Sequence, residues 1–152
     1  VKILIGTDGS DHAIEAAQRA LPLLAPADSV LVVCVVEAPS IAAEGFESGF
    51  AGGVAAPDEV DAAWDAANRE AVDAIERTVS ALATHAAVES MIENGETGPT
   101  LCFVAGDRSC DVVVVGSRGR GAIKRALLGS VSTHIVNHAP CPVIVVRTGA
   151  GT

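Results

Sequence analysis

Residues 112–131 read VVVVGSRGRGAIKRALLGSV, and this stretch decides the fold. Four valines in a row, with no polar alternation, are the pattern of a strand buried on both faces of a parallel sheet. Gly116, Gly119 and Gly121 follow at once, and then Gly129 and Ser130 mark a helix start. A buried strand, a glycine-rich loop and a helix N-terminus together make an anion site. Backbone amides point outward, the helix dipole is positive at that end, and missing side chains admit a phosphate. Charge points the same way. The chain has a formal net charge of −9, yet Arg118, Arg120, Lys124 and Arg125 fall within eight residues and make up four of its ten cations. A loop of solvated charges is the alternative; the strand before it and the Gly-Ser after it favour phosphate.

Working outward, short apolar runs alternate with longer helical patterns, the signature of a parallel sheet with crossover helices. Val1–Gly6 and Ser29–Val36 read as the first two strands. Between them Ser10 or Asp11 caps a helix whose apolar face is Ala13, Ala16, Ala17, Ala20 and Leu21. Residues 39–57 have no period and are rich in Gly, Ala and Pro, so they read as a long loop, a candidate lid or partner contact. Helical spacing of Val60, Trp64, Ala67, Ala71, Ile75, Val79 and Leu82 predicts a helix from Asp58 to about His85. A third strand over Val88–Asn94 precedes a short helix that opens at Gly98-Pro99 and ends near Gly106. After the valine strand come a helix from Ser130 to Asn137 and a last strand from Val143 to Arg147. No internal repeat or domain boundary is visible, so the 152 residues read as one domain, long enough for a sizeable core.

Composition narrows the classes. Hydrophobic residues are 49% of the chain and aromatics only 3%, so Val, Ala, Leu and Ile must fill the core. No apolar run approaches the roughly 20 residues of a membrane span, and no stretch resembles a cleavable signal. Cys34, Cys102, Cys110 and Cys141 have no CxxC spacing and read as buried thiols, which leads to the expectation of a cytoplasmic setting. The acidic balance argues against bulk binding to nucleic acid or anionic membrane. The apolar run Val143–Val146 has two readings of equal weight, an edge strand that pairs two copies into a homodimer or a strand buried inside the sheet.

Two glycine-bearing loops, Gly6–Ser10 and Gly116–Gly121, lie at the carboxyl ends of strands, where open α/β sheets bind ligands. Other phosphate motifs fail on spacing: neither GxxxxGK[ST] nor a GxGxxG after the first strand occurs. His134 and His138, four apart, with Cys141 beyond, offer metal-ligand spacing but lack a fourth partner, and ordinary helix histidines are the better reading.

The spacing Gly116-x2-Gly119-x9-Gly129-Ser130 resembles the nucleotide signature of the universal stress protein family, in its ATP-binding branch. KILIGTDGSDHAIEAAQRAL is similar to that family's opening segment and HAPCPVIVVR to its closing one. The resemblance implies an α/β fold of the Rossmann-like adenine nucleotide alpha-hydrolase type, an open five-stranded parallel sheet in the order 3-2-1-4-5 flanked by helices. It also implies dimers made through the last strand. Carried over by position, Gly6, Thr7 and Asp8 would line the adenosine side, Asp8 lying near ribose or a nucleotide-bound Mg. The lesser alternative for Asp8, from its type of position, is an ordinary turn or capping carboxylate. The backbone of Val35 would meet the adenine edge, and Val115, Gly116, Arg118 and Gly119 would approach ribose and phosphates. Gly129, Ser130, Val131 and Ser132 would cradle the outer phosphates, with Arg120 and Lys124 as further cations.

No residue stands out as a catalytic base, so the expected function is an ATP-binding regulatory or stress-response module, at most a slow ATPase. Nucleotide occupancy is expected to order the 116–130 loop and the 39–57 segment. An AMP- or cyclic-AMP-binding member and a nucleotide-free dimeric interaction protein are the alternatives.

Overall fold

The apolar runs form the strands, and their two-residue period sorts the core into two layers. The computed structural model describes residues 1–39, 56–119 and 128–148. In chain order these form β1 (Lys2–Gly6), α1 (Asp11–Ala20), a 3-10 turn (Leu21–Leu24), β2 (Ser29–Val36) and α2 (Pro57–Ala81). There follow β3 (Ala87–Asn94), α3 (Thr97–Asp107), β4 (Val112–Gly116), α4 (Ser130–His138) and β5 (Val143–Val146). All strand pairs are parallel, and the sheet order is β3-β2-β1-β4-β5 with helices on both faces, a Rossmann-like α/β fold.

Alternation along each strand assigns the faces. Ile3, Ile5, Val30, Val32, Val112 and Val114 pack with Ala17 and Ala20 of α1 and Ala71, Ala74 and Ile75 of α2. Leu4, Leu31, Val33, Val113 and Val115 pack on the other side with Leu101 and Val104 of α3 and Ile135 of α4. The predicted apolar face of α1 is the buried one, and Ser10 is its cap, with Oγ accepting from the Ala13 amide at 3.2 Å. Central β1 and β4 are buried on both faces, whereas β3 and β5 are edges. The inner-strand reading of Val143–Val146 is thereby corrected: among the described residues β5 pairs with β4 alone, and all four of its residues are only half-buried.

Other boundaries shift for local reasons. Helix α2 stops at Ala81, not near His85, because Leu82 adopts an extended ψ of 122° and the Thr84 hydroxyl accepts from the Ala86 amide in a turn. It starts one residue early, at Pro57, whose missing N–H costs nothing in the first helical turn. Strand β5 ends before Arg147, whose carbonyl instead accepts from Arg19 Nη1. The 40–55 part of the long loop lies outside the described residues, as do Arg120, Gly121, Lys124 and Arg125. Of the four cysteines expected to be buried, Cys34 and Cys110 are; Cys102 on α3 and Cys141 in the α4–β5 connection are half-buried, and all are free thiols. Burial raises the Cys102, Cys110 and Cys141 thiols above their ordinary range, so they stay protonated at neutral pH. No helix among the described residues is long and apolar enough to cross a membrane.

Helix α3 closes in a Schellman motif: the Ser109 amide donates to Gly106 (3.0 Å) and the Cys110 amide to Ala105 (2.8 Å). That geometry places Ser109 at φ 50°, a left-handed conformation that strains a side chain. Ser109→Gly is expected to raise unfolding free energy by about 1 kcal/mol in urea titrations; an unchanged or lower midpoint would contradict the cap assignment.

Candidate functional site

Because β1 and β4 are neighbours, their loops face one another at the carboxyl end of the sheet, where strand order reverses. A cavity of about 640 Å³ lies there. Every site residue read from the sequence lines it except Arg120 and Lys124, which are outside the described residues: Gly6, Thr7, Asp8, Val35, Val115, Gly116, Arg118, Gly119, Gly129, Ser130, Val131 and Ser132. The wall also contains Val33, Glu37, Thr97, Leu101 and Ser117, which sequence reasoning missed. Val33, Glu37, Thr97 and Leu101 arrive from β2, its end and α3, where no local motif announces them, whereas Ser117 sits inside the glycine loop itself. Glu37, the polar residue that ends the apolar run of β2, was the available signal.

The β1–α1 loop is held from below by a buried chain of hydrogen bonds. The Thr78 hydroxyl on α2 donates to the Ala74 carbonyl at 2.7 Å. Its single hydrogen is then used, so the Thr7 hydroxyl, 2.8 Å away, must be the donor between them. Thr7 in turn accepts from the Gly9 amide at 3.0 Å. Gly9 has φ 72°, and a Cβ there would lie 2.6 Å from Cα of Ala74, so only glycine lets the loop rest on α2. Asp8 Oδ1 accepts from the Ser10 amide at 2.9 Å, so this carboxylate is a turn acceptor as well as a cavity wall. Gly119 approaches it from the other loop: a Cβ there would stand 3.1 Å from Asp8 Oδ2.

The opposite wall is the N-terminus of α4. The Gly129 amide donates to the Ser117 carbonyl (2.8 Å), which pins the helix start to the end of β4. Ser132 is buried, and its hydroxyl faces the carbonyls of Gly129 (3.1 Å) and Ser117 (3.3 Å), so it holds this junction. The first intrahelical bond is from Thr133 to Gly129, which leaves the amides of Ser130 and Val131 without intrahelical acceptors. Among the described residues no side chain caps this end, and no acidic residue lies in the first turn. Arg118 Nε is buried in the same region and has no hydrogen-bond partner among the described residues. A buried guanidinium nitrogen without an acceptor among the described residues shares one cavity with uncapped helix amides, which is the electrostatics of an anion pocket.

His134 and His138 stack with ring centroids 4.2 Å apart, and His138 Nδ1 lies 2.8 Å from the His134 carbonyl. Among the described residues no group of three or more side chains could hold a metal ion.

The model of the universal stress protein family matches residues 1–147. The chain belongs to that family. It is 28% identical over 148 residues to universal stress protein YxiE of Bacillus subtilis, an alignment that covers 96% of this chain and 98% of the relative. Universal stress protein UspA from Lactobacillus plantarum has the same fold, with TM-score 0.74 at 24% identity and 97% of each chain covered. A universal stress protein solved in complex with cAMP is 26% identical, with TM-score 0.59 and 97% of each chain covered. An Arabidopsis thaliana family member with AMP bound has TM-score 0.55 at 16% identity, with 99% of this chain and 93% of that chain covered.

Thr78→Val in this universal stress protein keeps the shape but strips the Thr7 hydroxyl of its acceptor in a buried place. Urea unfolding is expected to show a loss of about 1–3 kcal/mol; a neutral result would mean that Thr7 finds another acceptor.

Proposed function

We propose that this universal stress protein binds an adenine nucleotide, with ATP preferred and Mg accompanying it, between the β1 and β4 loops and α4. It acts as a nucleotide-dependent regulatory or stress-response module in a cytoplasmic setting, with slow hydrolysis at most. The observation that carries this reading is the buried Arg118 Nε, without a partner among the described residues, in one cavity with the uncapped amides of Ser130 and Val131. A phosphate supplies acceptors for both at once. The cavity volume falls in the range of about 300–1,000 Å³ usual for small-molecule sites.

Roles follow from position. Val33, Val35, Leu101 and Val115 offer apolar walls to a flat base. Gly6, Thr7 and Asp8 face the sugar, with Asp8 also within reach of a nucleotide-bound Mg. Gly116, Arg118 and Gly119 meet the inner phosphates, and Gly129, Ser130 and Val131 the outer ones. Ser132 supports that cradle through the carbonyls it bonds. The relatives seen with cAMP and AMP keep a monophosphate ligand as the second reading. It differs in leaving the α4 end of the cavity unused.

Thermal unfolding against ATP-Mg, ADP, AMP, cyclic AMP and GTP tests the reading. Ligand at about 100 times its Kd adds roughly 2.7 kcal/mol to the folded state. The largest rise is expected with ATP. A larger rise with AMP or cyclic AMP would select the monophosphate reading, and no rise with any ligand would leave an interaction protein. Gly129→Leu gives the matching control. Gly129 has φ −78°, and a Cβ there meets only ordinary contacts, the nearest 3.5 Å away, so the fold accepts it while the side chain enters the cradle. Unliganded melting should change little and ATP should no longer raise it.

The homodimer is proposed through β5. Val113 donates to the Pro142 carbonyl and Ser117 to the Val146 carbonyl, so even-numbered residues of β5 face β4 and Val143 and Val145 present their backbone groups outward. Val145→Pro removes an outward donor without touching the ladder to β4. Sedimentation should show a dimer for the parent and a folded monomer for the variant; a dimeric variant would place the interface elsewhere.

A further inference from the structure

The base end of the cavity has a polar edge that the phosphate end does not explain. The Thr7 amide donates to the Val33 carbonyl, so Val33 turns its backbone toward β1, whereas Val36 turns toward β3, its carbonyl accepting from the Gly95 amide. Period two then points the N–H and C=O of Val35 toward the β1 side. Strand β1 ends at Gly6, opposite Val33, so no strand pairs them there. Two residues further on, in the same phase as Val33 and Val35, Glu37 also lines the cavity.

Glu37 is held in one state and one place. Its Oε1 accepts from the Thr97 hydroxyl at 2.7 Å and from the Thr97 amide at 3.0 Å, so it caps α3 from across the sheet end. These two bonds keep its carboxyl below the usual carboxylate range, and the group is therefore ionised throughout the neutral range. Its folded-state value is lowered, so the stabilising contribution is complete above the unfolded carboxyl range and fades only as pH falls through the lowered value. Oε2 makes no hydrogen bond among the described residues. A fixed carboxylate accepts and never donates.

We propose that Glu37 is a specificity-determining residue, reading the exocyclic amine at C6 of a 6-aminopurine whose other amine hydrogen bonds the Val35 carbonyl. This rests on the nucleotide reading above. The amine has two hydrogens and the site offers two acceptors for them. A 6-oxopurine puts a carbonyl oxygen where the carboxylate stands, and a purine with hydrogen at C6 leaves Oε2 unserved. A charged acceptor facing another acceptor is the kind of mismatch that gives strong rejection. Thr97 acts as a positioning residue, because it fixes the carboxylate orientation.

Calorimetric titration of ATP, purine riboside triphosphate, ITP and GTP into the wild-type chain and into Glu37→Gln tests this. The glutamine carbonyl oxygen still accepts both Thr97 bonds, so the α3 cap and the melting temperature are retained while an amide NH2 replaces Oε2. Wild type should bind ATP about tenfold more tightly than purine riboside triphosphate or ITP. Glu37→Gln should shrink or invert the ATP to ITP ratio. An unchanged ratio in Glu37→Gln would overturn the assignment and leave the nucleotide reading intact, as would GTP binding more tightly than ATP to wild type. Wild type that binds none of the four would overturn both.

Discussion

The adjacency of β1 and β4 is the constraint on which everything else depends. The chain leaves β1 toward β2 and β3 and returns to lay β4 on β1's other side, so α1 and α2 cover one face of the sheet and α3 and α4 the other. No helix can close over the carboxyl end of the seam, and a cavity remains between the two loops. The buried valines of β4 and the Ile-Leu-Ile of β1 therefore do more than fill a core: their pairing sets the spacing between a turn that carries a carboxylate and a loop that carries an arginine.

The described ends of both loops are then held by hydrogen bonds and packing that cavity-lining residues make with the elements behind them. On the β1 side, hydroxyls of Thr7 and Thr78 and the bare Cα of Gly9 press the turn onto α2. On the β4 side, Ser117 and Ser132 join the strand end to the start of α4. Glu37 does the same for α3. The groups left unsatisfied among the described residues after this bracing, the α4 amides and Arg118 Nε, are those with electrostatic demand for an anion. Satisfied polar groups shape the site and unsatisfied ones define its ligand.

The fold was legible to within a residue or two in most elements because period and burial agree. Central strands carry unbroken apolar runs, and α1 has a cap and one small-residue face. The end of α2 was less legible, since Leu82 continues the helical spacing although its backbone has already turned extended. The phosphate side of the site was legible because its signal is local, a glycine loop and a helix start close in sequence. The base side was not. Glu37 and Thr97 are 60 residues apart, and nothing near either reveals that one caps the helix of the other.

The sequence by itself determined the alternation of strand and helix, the face each helix buries and the glycine and arginine content of the loops, because these depend on side-chain chemistry repeated over short distances. Only the tertiary structure decided that β5 is an edge with the backbone groups of two residues turned outward, that Ser132 spends its hydroxyl on the loop, and that Glu37 is locked by Thr97 at the base end of the cavity. Those facts depend on which backbone groups remain unpaired once strands from distant parts of the chain have met, and local sequence carries no record of that.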